Sequence, residues 1–233
     1  MGGEALEHLE LLEFLERRWG ETLKRYAEAL ALYREARLTG TRGAEDIYAL
    51  HVRDCLASVP FLPPSGAVVD VGSGGGLPGL VWAVCRPDLT VTLVDSVRKK
   101  CRAVESIASD LGVTNLRVVN ARCEDFSARG AAGREAFVLA SARALARAAV
   151  TAEYLAPLVS VGGCLLTFKG PKVDEELAEA RGLWKRLGLG SPDVTRYGPP
   201  DRSNVFVLWK KIAPCPAAYP RRAGEASMKG WWL

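Results

Sequence analysis

The sequence has few residues of the kinds that hold metals or build disulfide frameworks. Among its 233 residues there are only two histidines and six cysteines, and no two cysteines are spaced as Cys-x-x-Cys. This pattern argues against a structural zinc site and against a disulfide scaffold. We therefore expect no metal site, and we expect the cysteines to be reduced thiols, most of them buried.

Membrane and targeting signals are also missing. No apolar stretch approaches the roughly 20 residues that span a bilayer. The acidic segment from Met1 to Glu16 lacks the basic and apolar regions of a signal peptide. The net charge of +4 permits an anionic partner such as nucleic acid without requiring one. We expect a cytoplasmic protein with no membrane partner. The sequence does not specify an oligomeric state, and we favour a monomer.

Helical and strand patterns alternate along most of the chain. Two helices are predicted within residues 4–38 and a third over 44–59, and from residue 67 short β-branched runs alternate with helical patterns. Such alternation predicts a Rossmann-like α/β fold with a mostly parallel central sheet and helices on both faces. We divide the chain into an N-terminal helical extension (1–64), the α/β domain (65–213) and a basic C-terminal tail (214–233). The strands are predicted at 67–71, 90–94, 116–120, 136–140, 163–168 and 205–210, and the later helices at 78–85, 98–111, 145–158 and 175–187.

A glycine-rich turn at residues 72–76 directly follows the first predicted strand and precedes a helix. Glycines permit positive φ and the close approach of a ligand, so this succession is typical of a nucleotide-binding turn. Read from Gly72, the turn has the Gly-x-Gly-x-Gly pattern of methyltransferases. Read from Gly74 to Gly79, it has the Gly-x-Gly-x-x-Gly pattern of dinucleotide-binding proteins. The turn alone leaves both cofactors open.

Acidic residues follow the next two predicted strands. Asp95 ends the second strand, at about the distance from the turn where a carboxylate accepts both ribose hydroxyls. After the third strand, Glu124 or Asp125 is a candidate for contact with the adenine amino group, the alternative being a solvated acidic loop. Asp95 suits either class of cofactor, whereas the acids after the third strand favour a methyl donor.

Several short segments occur together in one order along residues 37–228, and with them the sequence resembles the RsmG (GidB) family, bacterial methyltransferases that act on N7 of a guanine in 16S ribosomal RNA. The glycine turn alone is weak evidence, whereas the segments in this order are specific. They are His51-Val52-Arg53-Asp54-Cys55, Asp70 through Gly79, Asp95-Ser96, Arg122 through Phe126, Ser141-Ala142-Arg143-Ala144, Phe168-Lys169-Gly170 and Tyr219 through Gly224.

The resemblance implies a class I methyltransferase fold, S-adenosyl-L-methionine as cofactor and 16S ribosomal RNA or the small ribosomal subunit as partner. In this family Asp95 would hold the ribose, Cys123 and Glu124 would border the adenine, and Arg143 would face the methionine end or the target base. The implied cofactor-binding residues are Gly72, Gly74, Leu77, Asp95, Ser96, Val97, Cys123, Glu124 and Arg143.

The chain departs from the family pattern at three places. Arg37 stands where the family usually has Asn, Ala142 separates Ser141 from Arg143, and the chain ends in residues 228–233 (MKGWWL) in place of Lys-Lys-Pro-Leu. The last departure leaves the RNA contacts of the extreme C-terminus unassigned. Trp231 and Trp232 there either stack on bases or pack within the protein.

Methylation at guanine N7 requires no general base, because N7 carries a lone pair and no proton. Catalysis can then rest on orientation and proximity. Strand four is not followed by the Asn/Asp-Pro-Pro-aromatic motif used for adenine amino groups. Arg143 is the candidate for orienting the reactants, with a surface salt bridge as its alternative. His51 is either a base or, more often for a lone histidine, a packed residue.

The basic residues that the resemblance and the topology place near the site are Lys169, Arg202, Arg221 and Arg222. Phosphate contacts from them would make RNA binding depend on salt, although a solvated basic face is the simpler alternative. Other functions remain open: methylation of a protein or small molecule, a nicotinamide-dependent oxidoreductase, or a module that only binds the cofactor. The oxidoreductase is disfavoured because no Tyr-x-x-x-Lys pair or comparable hydride-transfer group stands out.

Overall fold

The structure of the protein, a computed structural model, describes residues 2–197 and 204–233. Arg202, one of the predicted RNA contacts, lies outside these residues. Within them, seven strands form one sheet in the order β3-β2-β1-β4-β5-β7-β6. The first five are parallel, and β7 runs antiparallel to both β5 and β6. The strands are β1 Gly66–Val71, β2 Leu89–Asp95, β3 Leu116–Asn120, β4 Phe137–Arg143, β5 Val159–Lys169, β6 Asp193–Tyr197 and β7 Asn204–Lys210.

Helices cover both faces of this sheet. Val68 of β1 packs into a core that also contains α1, α4 and α5, whereas its neighbour Val69 packs into a second core with α7 and the tryptophans of the C-terminal half. Alternate residues of a strand point to opposite faces, so both faces of β1 are buried. The predicted α/β fold with a mostly parallel sheet is confirmed. The helices are α1 Gly2–Leu32, α2 Ala44–Ile47, α3 Arg53–Leu56, α4 Gly79–Cys85, α5 Arg98–Asp110, α6 Cys123–Phe126, α7 Ala148–Leu155, α8 Val173–Ala178 and α9 Glu225–Met228.

The N-terminal segment differs from its prediction. A single helix, α1, replaces the two helices predicted within residues 4–38. Gly20 lies inside it without breaking it, and its open side faces the Tyr48 hydroxyl. Leu23, Tyr26 and Leu30 continue the buried face that Leu15 begins, so the two predicted helices form one continuous helix. A π-helical turn, Tyr48–Val52, joins α2 to α3.

The region before β7 also differs from its prediction. The helix predicted at 175–187 is instead α8 followed by a separate 3₁₀ turn, Trp184–Leu187, because Gly182 adopts a φ of +77° between them. Strand β6 was not predicted. Four of its five residues are exposed, and these residues, which are polar or β-branched, do not form an apolar face. Across the described ranges, no helix is long and apolar enough to cross a membrane.

Candidate cofactor site

The glycine turn lies at the carboxyl edge of the sheet, between the ends of β1 and β2. The backbone N–H of Gly72 donates to the carbonyl of Val94 over 2.8 Å, which ties the turn to the neighbouring strand. Gly72 and Gly74 have φ values of +67° and +58°, a region that side chains other than glycine rarely adopt. The turn therefore has its shape before any ligand binds.

The carboxylate of Asp95 is held in place by the backbone of two loops. Its Oδ2 accepts the N–H of Gly74 at 2.9 Å, and its Oδ1 accepts the N–H of Val97 at 2.8 Å. The residue is 8% exposed, while Ser96 and Val97 beside it are exposed. Each carboxylate oxygen accepts more than one hydrogen bond. Asp95 can thus hold the turn and still accept a ligand hydroxyl.

Asp70 of β1 is a second acidic residue of the site, and the sequence reasoning gave it no role. Its side chain is fully buried, its Oδ2 accepts the N–H of Gly79 at 2.9 Å, and its Oδ1 has no hydrogen-bond partner within the described part of the chain. Burial raises the pKa of Asp70 to about 7, against the opposing effects of the Gly79 N–H and the Arg143 charge. The signal in the sequence was an acid inside an otherwise apolar strand.

The N-terminal helix packs directly on the glycine turn. The buried Tyr26 hydroxyl of α1 donates to the carbonyl of Gly75 at 2.6 Å. A Cβ at Gly75 would come within 3.0 Å of the Leu38 carbonyl, and one at Gly72 would come within 2.6 Å of the Leu145 side chain. The extension and the loop after β4 therefore enclose the turn from two sides. Periodicity gave no indication of the Tyr26 contact.

On the side of β3, Cys123 and Glu124 begin α6. The Cys123 thiol donates to the carbonyl of Tyr154 at 3.3 Å, and burial raises its thiol pKa above the ordinary value. Glu124 is 8% exposed, and its Oε1 accepts the N–H of Gly224 in the C-terminal tail at 3.2 Å. The side-chain amide of Asn120 donates to the backbone carbonyl of Asp95 at 2.9 Å. This bond connects the end of β3 to Asp95, the residue predicted to hold the ribose.

Arg143, at the end of β4, points toward the helical segment that carries His51 and Asp54. Its Nη1 lies 3.3 Å from His51 Nδ1 and 3.4 Å from Asp54 Oδ2. A guanidinium only donates, so His51 Nδ1 accepts and its Nε2 carries the proton, which reaches the Thr41 hydroxyl at 2.7 Å. Burial, followed by the Arg143 charge, lowers the pKa of His51. In this arrangement the lone pair of His51 is directed at Arg143.

Asp54 connects Arg143 to the antiparallel edge of the sheet. Its Oδ1 accepts the hydroxyl of Tyr197 at 2.6 Å and the amide of Asn204 at 3.2 Å, while its Oδ2 faces Arg143. The Tyr197 ring is stacked on Phe206 with centroids 3.8 Å apart. Asp54 belongs to one of the segments that carry the family resemblance. Its contacts with Tyr197 and Asn204 were not predicted, because these residues are distant from it in the chain.

The predicted RNA contacts occupy very different positions. Lys169 is only 7% exposed, and its Nζ donates to Glu176 at 2.9 Å and to the carbonyl of Ala146 at 2.5 Å. Arg221 forms a two-pronged ion pair with the buried Glu153. Of the three that lie within the described residues, Arg222 is the one classed as exposed.

The residues at this edge fit a nucleoside cofactor. Asp95 offers a pre-oriented carboxylate, and the unpartnered Oδ1 of Asp70 is a buried acceptor that a bound donor would satisfy. This position lies at the carboxyl ends of the strands, at the neighbours β1 and β4 where the strand order reverses, which is the ligand site of open parallel sheets. Within residues 2–197 and 204–233, no group of three or more His, Cys, Asp or Glu residues is placed to hold a metal ion.

Comparison with known proteins agrees with this geometry. A family model described as rRNA small subunit methyltransferase G (GidB) matches residues 20–203. The ribosomal RNA small subunit methyltransferase G of Symbiobacterium thermophilum is 38% identical over 196 residues, which are 80% of this chain and 79% of that protein. Its counterpart from Rubrobacter xylanophilus is 39% identical over 210 residues, which are 87% of this chain and 80% of that protein.

The fold also resembles solved structures. An rRNA methylase from Streptococcus thermophilus superposes with a TM-score of 0.50 at 17% identity, covering 66% of this chain and 92% of that one. At this identity the likeness concerns the fold alone. The fold is that of the Rossmann-like class I methyltransferases, as predicted.

Proposed function

The chain belongs to the rRNA small subunit methyltransferase G (GidB) family, and from that premise we propose that it methylates N7 of a guanine in 16S ribosomal RNA. The methyl donor is S-adenosyl-L-methionine, and the product is S-adenosyl-L-homocysteine. The observation that carries the proposal is the Asp95 carboxylate, which the turn and the next loop hold at the carboxyl edge of the sheet.

In the proposed complex, the carboxylate of Asp95 accepts the two ribose hydroxyls. Gly72, Gly74 and Leu77 form the surface against which the cofactor lies, and Ser96 and Val97 border the ribose. Cys123 and Glu124 border the adenine. The buried Oδ1 of Asp70 accepts from a donor group at the methionine end, a role supported by its lack of any other partner in the described structure.

Arg143 orients the reactants. Its guanidinium has five N–H donors, and the contacts to His51 and Asp54 both involve Nη1. Its other N–H donors can bind the carboxylate of the cofactor or O6 of the guanine, the two alternatives that the sequence leaves open. Asp54 neutralises and positions Arg143, with Tyr197 and Asn204 holding the other carboxylate oxygen.

The cofactor supplies an electrophilic methyl group on a sulfonium. When bound, the cofactor would supply this methyl group to the lone pair of guanine N7. Its sulfur would keep the electron pair of the carbon–sulfur bond, and the guanine would take the positive charge. No proton leaves the acceptor, so no base is needed. His51 supports this account, because the only lone pair on its ring is directed at Arg143. The protein contributes by orienting the cofactor and the guanine so that N7 faces the methyl group and other relative geometries are excluded.

A transfer assay with a labelled methyl group tests the acceptor class. The assay compares deproteinised 16S RNA, assembled small subunits, isolated ribosomal proteins and buffer with small metabolites. We expect the label in RNA, supplied as naked RNA or as subunits. Label confined to protein or to a small molecule would contradict the proposal, and binding of NAD without binding of S-adenosylhomocysteine would contradict the cofactor. The variant Asp95→Ala is the inactive reference, and Asp110→Ala, which changes an exposed aspartate on α5, is its matched control.

A further inference from the structure

The C-terminal tail, residues 214–233, lies against α7 and α6 and is fixed at several points. Near its start, the guanidinium of Arg134 donates to the carbonyls of Cys215 and Tyr219, both at 2.8 Å. Near its end, the indole of Trp231 is 5% exposed and donates to the carbonyl of Ala149 at 2.8 Å. Trp231 therefore packs within the protein. The tail is thus attached to the rest of the protein near both of its ends.

The strongest attachment is an ion pair between Arg221 and Glu153 of α7. Arg221 donates from Nε at 2.9 Å and from Nη2 at 2.6 Å to the two carboxylate oxygens, and its backbone N–H adds a third bond at 3.1 Å. The Glu153 side chain is fully buried. A buried carboxylate without a partner is strongly destabilising, so Glu153 has a stable place in α7 only while the tail covers it. The two-pronged geometry is one that lysine does not reproduce.

Between these attachments the tail reaches the candidate cofactor site. Gly224 adopts a φ of +86°, and its N–H donates to Glu124 at 3.2 Å. Two residues, Arg222 and Ala223, separate it from Arg221. On the other side of it, Ala226 of α9 packs against Val150 and Tyr154. The position of Gly224 is thus set by the ion pair before it and by the apolar contact after it.

We propose that the tail forms a wall of the adenine side of the cofactor site, with Arg221 and Glu153 as the positioning pair that holds Gly224 against Glu124. This inference rests on the proposed function, since it takes Glu124 as a residue that borders the adenine. A tail held against Glu124 completes the wall that the adenine would contact, so we expect cofactor binding and tail attachment to stabilise each other, and such a coupling is reciprocal. Arg222, which follows Arg221 in the chain, is exposed.

Two measurements on the full-length protein test the proposal. The first is the rate of tryptic cleavage after the exposed Arg222 and Lys229, followed by mass spectrometry with and without S-adenosylhomocysteine. The second is the dissociation constant of S-adenosylhomocysteine by calorimetry. We expect the ligand to slow cleavage of the wild-type tail about tenfold. We expect Arg221→Met to speed cleavage and to weaken ligand binding by about five- to tenfold.

Two further variants make the outcome interpretable. Arg221→Lys keeps the charge without the two-pronged geometry, so we expect intermediate values for it, and it serves if Arg221→Met does not fold. Arg196→Met removes an exposed ion pair with Asp174 on the surface and should match the wild type. Faster tail cleavage with an unchanged dissociation constant would overturn the inference alone. A wild-type protein that does not bind S-adenosylhomocysteine would instead overturn the proposed function.

Discussion

At the scale of single residues, Asp95 connects the fold to the proposed chemistry. Its carboxylate accepts N–H groups from Gly74 and Val97 and is placed to accept ribose hydroxyls. Loss of hydrogen bonds to a charged group costs about 1.5–3 kcal/mol each. Loss of both ribose hydrogen bonds then amounts to about 3–6 kcal/mol, so we expect Asp95→Ala to raise the dissociation constant of S-adenosylhomocysteine by roughly 10²- to 10⁴-fold. Calorimetry checks this, with Asp110→Ala as the control; equal affinity in Asp95→Ala and wild type would remove Asp95 from the site.

Asp70 predicts how stability depends on pH in the ligand-free protein. Burial raises its pKa to about 7 in the folded state, whereas an aspartate in an unfolded chain titrates near 4. The raised pKa means that its contribution to stability is fully present below about pH 4 and is lost as the pH rises to about 7. The loss is on the order of 2–4 kcal/mol.

The variant Asp70→Asn isolates this contribution. We expect its free energy of unfolding relative to wild type to improve between pH 5 and pH 8, since the amide carries no charge to bury. Urea unfolding at both pH values measures the difference. If the free energies of unfolding of the variant and the wild type differ by the same amount at pH 5 and at pH 8, Asp70 does not titrate in this range. The same variant should bind S-adenosylmethionine more weakly, because it replaces the buried acceptor Oδ1 or Oδ2 with a donor.

Arg143 and His51 distinguish orientation from base catalysis. We expect Arg143→Ala to lower turnover on RNA by about 100-fold, the size of effect that misplacement of reactants produces. His51→Gln removes an imidazole that the proposed reaction does not need as a proton acceptor. We expect turnover to fall by no more than about tenfold, which corresponds to the upper end of the free energy of one hydrogen bond. Single-turnover methyl transfer measures both. A larger loss in His51→Gln than in Arg143→Ala would favour a base.

At the scale of elements, α1 supports the glycine turn. The Tyr26 hydroxyl is buried and donates to the Gly75 carbonyl at 2.6 Å. Tyr26→Phe leaves that carbonyl without its partner, which should destabilise the fold by about 1–3 kcal/mol and weaken cofactor binding. Thermal unfolding and calorimetry check this. Tyr48→Phe, a half-buried tyrosine on the adjacent helical segment, is the comparison, and equal effects of the two changes would contradict a specific role for Tyr26.

The sequence predicted the buried elements better than the exposed ones. The continuous apolar runs at β1 and β2 are typical of parallel strands that are covered on both faces, so the sequence predicts these strands directly. Strand β6 has no such signal, because it pairs only with β7 and most of its residues are exposed. Residues of α1 are predicted as two helices because their apolar side chains fall into two groups along the chain, and the structure joins these groups in one helix with Gly20 inside it.

The sequence identified the residues of the candidate site that belong to a local motif. It missed those whose roles depend on contacts between distant parts of the chain. Gly72, Gly74 and Asp95 belong to a motif with fixed spacing and lie together at one edge of the sheet. Lys169 shares that edge, but its charge is directed at Glu176, a partner that only the folded chain brings near. Tyr26, and Asp54 with its partners, depend on contacts across the whole fold. The cofactor-binding assignments themselves stay predictions until tested.

At the scale of the whole molecule, the arrangement converges on one edge of the sheet. The N-terminal helix, the loop after β4 and the C-terminal tail all reach the turn or its neighbours from different parts of the chain. We expect RNA to approach this edge, with exposed cations such as Arg98, Lys99 and Arg222 contacting phosphates. Such binding should weaken as salt rises, because phosphate contacts release counterions.

The most direct test of the central claim locates the transferred methyl group. Small ribosomal subunits or their 16S RNA are incubated with the protein and S-adenosylmethionine carrying a deuterated methyl group. The RNA is digested to nucleosides and analysed by mass spectrometry against standards. The proposed function predicts deuterated 7-methylguanosine with wild-type protein and its loss with Asp95→Ala. A deuterated methyl group on another atom of guanine, or on another base, would contradict N7 as the acceptor.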